Sequence, residues 1–361
     1  MRVFLSVADR SASLYLRHIF KDTDLELFGI TDEGLESIGV RSIAKIEEIS
    51  AVGILEAIYK APRALSLFGQ IQSQIRSDDV LLLCDAPGFN LRLLKKIRVR
   101  PKRIIYFISP QVWAWKSHRA FEIARSVDAM VCILPFEPEF YKKLVGESLR
   151  VYYEGHPLLD IAKPKALEQE MLSLAGGDYI TIMPGSRWSE IKRHTPFLKK
   201  VIKCLRTNLK IVIPTFKPFE SYLKKHFPEA KILTYQGANY DALKHARFSI
   251  IASGTASLEA GLLNAPHVVF YRVSPITYLI AKRLVKVPFV SLVNLILNRA
   301  LIPEFIQASY KELCLKARQY LEDSEKLDLL KKELSDLYVA LGPPGAIERL
   351  RSRLLELIKE L

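Results

Sequence analysis

A chain of 361 residues exceeds the size at which one hydrophobic core usually stops growing, so two ordinary domains are expected. Its composition, 49% hydrophobic and 25% charged with no low-complexity tract, excludes a disordered protein. Fifty-three Lys and Arg against thirty-nine Asp and Glu leave a formal charge of +14, which favours an anionic partner: phospholipid head groups, nucleic acid or a phosphorylated substrate.

The amino terminus, Met1 to Ala8, has one basic residue and a short apolar stretch that Asp9 interrupts. It is too short for a signal-peptide core and reads as a first strand. From there short β-branched runs alternate with longer amphipathic stretches, the pattern of βαβ units on a parallel sheet. The first half reads strand 2–7, helix 11–20, strand 24–30, a long helical region at 51–76, strand 79–84, helix 90–97, strand 103–108, helix 115–126 and strand 128–133. Between Asp160 and Asp178, Pro164, a charged amphipathic stretch and Gly176-Gly177 mark a domain boundary. His156, in Gly155-His156-Pro157, reads as an interdomain hinge feature.

The second half reads strand 179–183, helix 188–206, strand 209–213, helix 217–226, strand 231–234, helix 239–246, strand 248–252, helix 255–263 and strand 267–271. The predicted fold is α/β, two Rossmann-like doubly wound parallel-sheet domains spanning 1–160 and 161–345, with an interdomain cleft. From about 310 the chain is highly charged and helical in pattern, broken by Gly342-Pro343-Pro344-Gly345. The last helix, about 346–361, is a candidate to pack back on the first domain.

Cys84, Cys132, Cys204 and Cys314 lie far apart, with no C-x-x-C pair and no His at metal-ligand spacing. They read as reduced, mostly buried thiols of a cytosolic protein, with neither a zinc site nor a disulfide framework. The longest uncharged run near residue 290, Val287 to Asn298, falls well short of the roughly 18 residues a spanning helix requires and contains Pro288. The densest basic cluster is Arg92, Lys95, Lys96, Arg98, Arg100, Lys102 and Arg103, interleaved with Leu91, Leu93, Leu94, Ile97 and Val99. That mixture suits a membrane surface, or a solvated helix face followed by a loop. Zinc-finger spacing, the ribonucleoprotein aromatic motif and a Gly-x-x-Gly clamp in context are all missing, so no nucleic-acid partner is expected.

Open α/β sheets bind ligands beyond the carboxyl ends of their strands, which directs attention to four turns. After strand 248–252, Ser253-Gly254-Thr255 opens a helix whose free N–H groups and dipole suit a diphosphate. Glu259, on the same helix face as Thr255, could accept both ribose hydroxyls; an ordinary strand-to-helix cap is the alternative. After strand 179–183, Pro184-Gly185-Ser186-Arg187 aims a guanidinium where a leaving diphosphate would gather charge, the alternative being a surface Arg at a turn. After strand 79–84, Asp85 is placed to deprotonate an acceptor hydroxyl, or else merely caps the turn through Asn90. The fourth turn, Ser109 to Trp115, sets Trp113 and Trp115 past a strand as a sugar or acyl platform, or as core. Asp22-Thr23-Asp24, the sole Asp-x-Asp pair, precedes a strand and so sits at the wrong edge for a metal-dependent transferase.

Taken together, Ser109-Pro-Gln-Val-Trp-Ala-Trp115, Leu134-Pro-Phe-Glu137, Gly155-His156, Pro184-Gly-Ser-Arg187 with Glu190, Ser253-Gly-Thr-Ala-Ser-Leu-Glu259, Tyr271-Arg272 with Pro275, and Ala281-Lys-Arg-Leu-Val285 leading to Ser291-Leu-Val-Asn294 resemble the bacterial lipid-A-disaccharide synthases. They run in family order over nearly the whole chain. The resemblance implies a GT-B fold and a metal-free, cofactor-free inverting transfer of 2,3-diacylglucosamine from UDP to the 6-hydroxyl of 2,3-diacylglucosamine 1-phosphate. It implies UDP or diphosphate contacts from Gly185, Ser186, Arg187, Ser253, Gly254, Thr255, Glu259, Tyr271, Arg272 and Asn294, with Arg187 also catalytic and Asp85 as base. Acceptor contacts would come from Asp9, Ser11, Asn90, Ser109, Trp113 and Trp115. Acylated substrates imply a cytoplasmic protein held peripherally on the anionic inner face of the inner membrane.

Two departures fall in the first domain. Ala8-Asp9-Arg10-Ser11-Ala12-Ser13 stands where the family usually has Gly-Glu-x-Ser-Gly-Asp, and Gly88 where it prefers an acid. Rival readings are another UDP-N-acetylglucosamine enzyme, such as a 2-epimerase or a peptidoglycan-type transferase, and a non-catalytic protein that binds anionic membrane.

Overall fold

A computed structural model describes residues 1–49, 61–285 and 287–360. The chain forms two compact units, one of Met1–Pro157, Arg283–Val287 and Pro343–Leu361, the other of Leu158–Lys282 and Pro288–Gly342.

The first unit holds seven parallel strands: β1 (Arg2–Ser6), β2 (Glu26–Thr31), β3 (Arg41–Lys45), β4 (Val80–Cys84), β5 (Arg103–Phe107), β6 (Ala129–Cys132) and β7 (Arg150–Tyr153), in the order β3-β2-β1-β4-β5-β6-β7. Strands covered on both faces must be apolar throughout, and Val80 to Cys84 are each fully buried. Chain order reverses between β1 and β4, so the turns after those strands flank the topological switch point. Of the predicted helical region 51–76, residues 51–60 lie outside the described residues and Ala61–Gln74 is helical. His156 is buried in this unit, edge-on to Tyr15, and burial lowers its imidazole to about 3.

The closing helix, Ala346–Lys359, belongs to the first unit, where it buries Leu350, Leu354, Leu357 and Ile358 and packs on the helix Arg10–Phe20. Arg353 and Arg349 fasten it to Glu154, through a 2.8 Å ion pair and a 3.0 Å hydrogen bond to the carbonyl.

The basic cluster resolves into a solvated face. Leu91 and Leu93 are buried, Arg92, Lys95, Lys96, Arg98, Arg100 and Lys102 are exposed, Lys95 and Arg100 reach Glu122 and Asp128 at 3.2 and 2.7 Å, and Arg103 is largely buried against Glu360. Of the interleaved apolar residues Val99 is exposed, so the lipid-facing reading of this segment loses most of its apolar surface.

The second unit has six parallel strands: β8 (Tyr179–Met183), β9 (Lys210–Pro214), β10 (Lys231–Leu233), β11 (Phe248–Ala252), β12 (His267–Tyr271) and β13 (Glu304–Ile306), ordered β10-β9-β8-β11-β12-β13. Its switch point lies between β8 and β11, and β12 follows directly. No helix among the described residues is long and apolar enough to cross a membrane.

Reduced thiols were expected at all four cysteines, and two of them correct that expectation. Cys204, near the end of the helix Trp188–Leu205, is disulfide-bonded to Cys314 in the helix Tyr310–Glu322, across 110 residues of sequence. Helix packing brings together thiols whose separation concealed the pairing. A link closing a loop of that length constrains the unfolded chain by about 4–5 kcal/mol in the chain-entropy account. Cys84 and Cys132 remain free and buried.

Candidate active site

In the second unit, the turns after β8, β11 and β12 carry the predicted phosphate-binding residues on three adjacent strand ends. Gly185 adopts φ 122°, and a Cβ there would stand 2.6 Å from Glu190 Oε2 and 2.8 Å from Glu190 Cβ, so the turn closes only with glycine. Glu190, 6% exposed, gathers three neighbours. Its Oε2 accepts from the Ser186 N–H at 2.9 Å, and its Oε1 from Arg187 Nη1 at 3.2 Å and the Tyr271 hydroxyl at 2.9 Å. Two strand-end turns are therefore tied through one carboxylate that charge-assisted bonds satisfy.

Buried His194 adds a second tie. The Arg272 N–H donates to His194 Nε2 at 3.3 Å, which assigns the proton to Nδ1 and makes it the donor to the Pro184 carbonyl at 2.7 Å. Burial lowers the pKa of this imidazole, in keeping with a neutral ring. Arg187, the N-cap residue of the helix Trp188–Leu205, keeps its side chain 40% exposed.

The turn after β11 places Gly254 at φ 150° and starts the helix Thr255–Leu262. Ser253 donates its N–H to the Phe270 carbonyl at 2.9 Å, joining this turn to β12. Glu259 is 9% exposed and accepts from Asn239 Nδ2 at 2.8 Å; burial pushes its carboxyl up to about 7.

In the first unit, Asp85 and Ala86 follow β4 at φ 42° and 44°, two successive non-glycine residues in the left-handed region. Such strain persists only where neighbours over-determine it, and it gathers at functional sites. Here the Asp85 carbonyl accepts from the Tyr106 hydroxyl and from Asn90 Nδ2, while its N–H donates to the Ile108 carbonyl at 3.1 Å. Asp9 caps the helix Arg10–Phe20, accepting from the Ser11 N–H at 2.8 Å, at the other side of the β1/β4 switch point.

Several predicted contact residues hold the scaffold instead. Asn294, 1% exposed, donates to the Ile302 carbonyl and Glu304 and accepts from the Leu301 and Ile302 N–H groups, so no amide group remains for a nucleotide. Asn90 is fully buried between Ser6 and the carbonyls of Cys84 and Asp85, which makes it the support of the Asp85 turn. Ser109, 3% exposed, meets Tyr141 at 3.0 Å. Arg272 turns from the Glu190 cluster: Nη1 donates to the Ala308 carbonyl at 2.9 Å and the guanidinium lies over Phe197.

The paired indoles separate. Trp113 donates Nε1 to Glu137 at 3.1 Å and packs edge-on to Phe136, whereas Trp115 is exposed with Lys116 Nζ 4.4 Å from its ring. Glu190, His194 and Glu137 were not among the predicted site residues. The legible signal for Glu190 was its place three residues after Arg187 on the helix surface; nothing local distinguishes His194.

A family model described as lipid-A-disaccharide synthetase matches residues 3–342. A lipid-A-disaccharide synthase of Aquifex aeolicus (strain VF5) is 44% identical over 360 residues, covering 99% of each chain. One from Persephonella marina is 35% identical over 378 residues, covering 100% of this chain and 99% of its own. Among solved structures, an S. aureus MnaA–UDP co-structure aligns with a TM-score of 0.63 at 15% identity, covering 99% of this chain and 98% of that one. Anabaena HepE in complex with UDP and glucose aligns at 0.55 and 12% identity, covering 98% and 99%. The two parallel-sheet units are those of the GT-B fold.

Proposed function

Since the chain belongs to the lipid-A-disaccharide synthase family and is a glycosyltransferase of lipid A biosynthesis, we propose that it moves 2,3-diacylglucosamine from UDP to the 6-hydroxyl of 2,3-diacylglucosamine 1-phosphate, releasing UDP. The observation that carries this reading is the run of three adjacent strand ends in the second unit, with the Arg187 guanidinium braced by Glu190 beside a glycine turn that admits no side chain. Diphosphate oxygens meet donors there through Arg187 and the start of the helix Thr255–Leu262, with the Ser186 N–H held by Glu190. Glu259 accepts the ribose hydroxyls. Asp85 takes the proton from the acceptor hydroxyl as its oxygen attacks the anomeric carbon from the face opposite UDP, which inverts that centre in a single displacement. The strained, clamped turn that presents Asp85 supports this role.

With purified protein and both acylated substrates, UDP and a β-1',6-linked disaccharide phosphate are expected in equal amounts, undiminished by EDTA. UDP release without disaccharide would overturn the transfer, and loss of activity in EDTA its metal independence.

Burial sets the pH dependence of donor binding. With its carboxyl raised to about 7, Glu259 is neutral at low pH and gains the second accepting oxygen as pH rises through that value. UDP is expected to bind about tenfold more tightly at pH 8 than at pH 6 by calorimetry. Glu259→Gln should flatten the profile.

We also propose peripheral attachment to anionic membrane. Leu279, Leu284, Val285 and Val290 are exposed in one segment with Lys282 and Arg283, pairing apolar and basic groups. Each cation near such a surface contributes about 1 kcal/mol. Co-sedimentation with phosphatidylglycerol vesicles is expected at low salt and should weaken as salt screens the charges; no binding at low salt would remove the proposal.

A further inference from the structure

A cavity of about 470 Å³ in the second unit lies off the Glu190 cluster, along the helix Trp188–Leu205. Arg193, Phe197 and Lys200 line it from one helix face, being spaced by four and three residues. The opposite wall is Arg272 and the segment Gln307 to Tyr310. Three of the lining residues are cationic and none is acidic.

Its walls are built before any ligand arrives. Gln307, at φ 56°, pins its loop to Val273 through both side-chain amide atoms, each at 3.1 Å. The Arg272 guanidinium lies over Phe197, 4.9 Å from the ring centroid, with Nη1 committed to the Ala308 carbonyl. A guanidinium has five N–H donors, so this one is oriented and retains donors for an anion. Lys200 Nζ stands 5.9 Å from the ring of Tyr310. The helix beginning at Tyr310 does not supply the site: Ser309 accepts from the Lys311 N–H, and Glu312 accepts from the Ser309 N–H. Side chains carry it.

We propose that this cavity binds a phosphate-bearing ligand, as a site separate from the diphosphate turns at Arg187 and Thr255. Three lining cations against no lining carboxylate leave a local excess of positive charge that a phosphate neutralises, and the volume falls in the ordinary range of small-molecule sites. Phosphate oxygens meet the Arg272 fork, Arg193 and Lys200, while Tyr310 flanks the body attached to them. The phosphate could belong to a free phosphorylated metabolite or to a phospholipid head group; the chemistry is shared.

The test is calorimetry on the full chain with inorganic phosphate and glycerol 3-phosphate in one arm and monomeric dihexanoyl-phosphatidylglycerol in the other. Wild type and the double variant Arg193→Ala/Lys200→Ala are compared; both side chains are exposed, so the fold tolerates their loss. A Kd raised at least about tenfold in the variant is expected, since two charge-assisted contacts are removed, while the Kd of UDP stays unchanged. A variant-sensitive response to the soluble phosphates supports a metabolite site, and one to the lipid alone a head-group site. No binding in either arm, equal binding by variant and wild type, or displacement of the bound probe by UDP would each overturn the proposal.

Discussion

Asp85→Asn is expected to lower turnover by about 10² to 10⁴ with the Kd of UDP unchanged, because the substitution keeps the shape of the side chain and removes its capacity to accept a proton. Asp85 is held by its backbone: Tyr106 and Asn90 donate to its carbonyl, and its N–H reaches Ile108. Asn tolerates the left-handed region as well as Asp does, so φ 42° survives the change and the variant keeps its fold. Single-turnover kinetics at saturating substrates, with UDP binding measured by calorimetry, separate the chemical step from donor affinity. Turnover equal to wild type would strip Asp85 of the role of base. Asn90→Ala makes the opposite disturbance: it leaves the carboxylate in place and withdraws one clamp from the strained turn.

Arg187→Ala is expected to reduce kcat by about 10² to 10³ and to weaken UDP binding by about tenfold or more. Both parameters move because the guanidinium meets the diphosphate before reaction and again as charge develops on it. Glu190 makes the case sharper. It orients Arg187 at 3.2 Å while also holding Ser186 and Tyr271, so Glu190→Gln should lose part of the same effect without removing a ligand contact. Arg187→Lys keeps the charge and discards the fork, and should fall between wild type and alanine. If UDP affinity is the same in wild type and Arg187→Ala, the diphosphate does not sit at this turn.

Missed elements share a physical cause. β3, β7 and β13 are outer strands of their sheets, and their sequences RSIAK, RVYY and EFI are short and at most half buried over most of their length. Edge strands need only one covered face, so they lack the continuous apolar run that made β4 and β11 legible. The predicted helix 115–126 is instead Val112–Trp115 followed by Arg119–Ser126, a break that no glycine or proline at the junction announces. Gly342 to Gly345, by contrast, announce theirs, lying between the helices Asp336–Leu341 and Ala346–Lys359.

What the amino-acid order determined by itself was the alternation of apolar and amphipathic runs, and with it two parallel sheets and the turns that must lie beyond their carboxyl ends. Hydrophobic period and glycine placement are local properties, readable residue by residue. Tertiary structure alone decided which polar side chains in those turns remain available to a ligand. Asn294 and Asn90 have amides filled by backbone groups and buried neighbours, Arg272 faces Ala308, and Cys204 meets Cys314 across 110 residues. A buried polar group takes whatever partner the packing brings within reach, and that partner can come from anywhere in the chain.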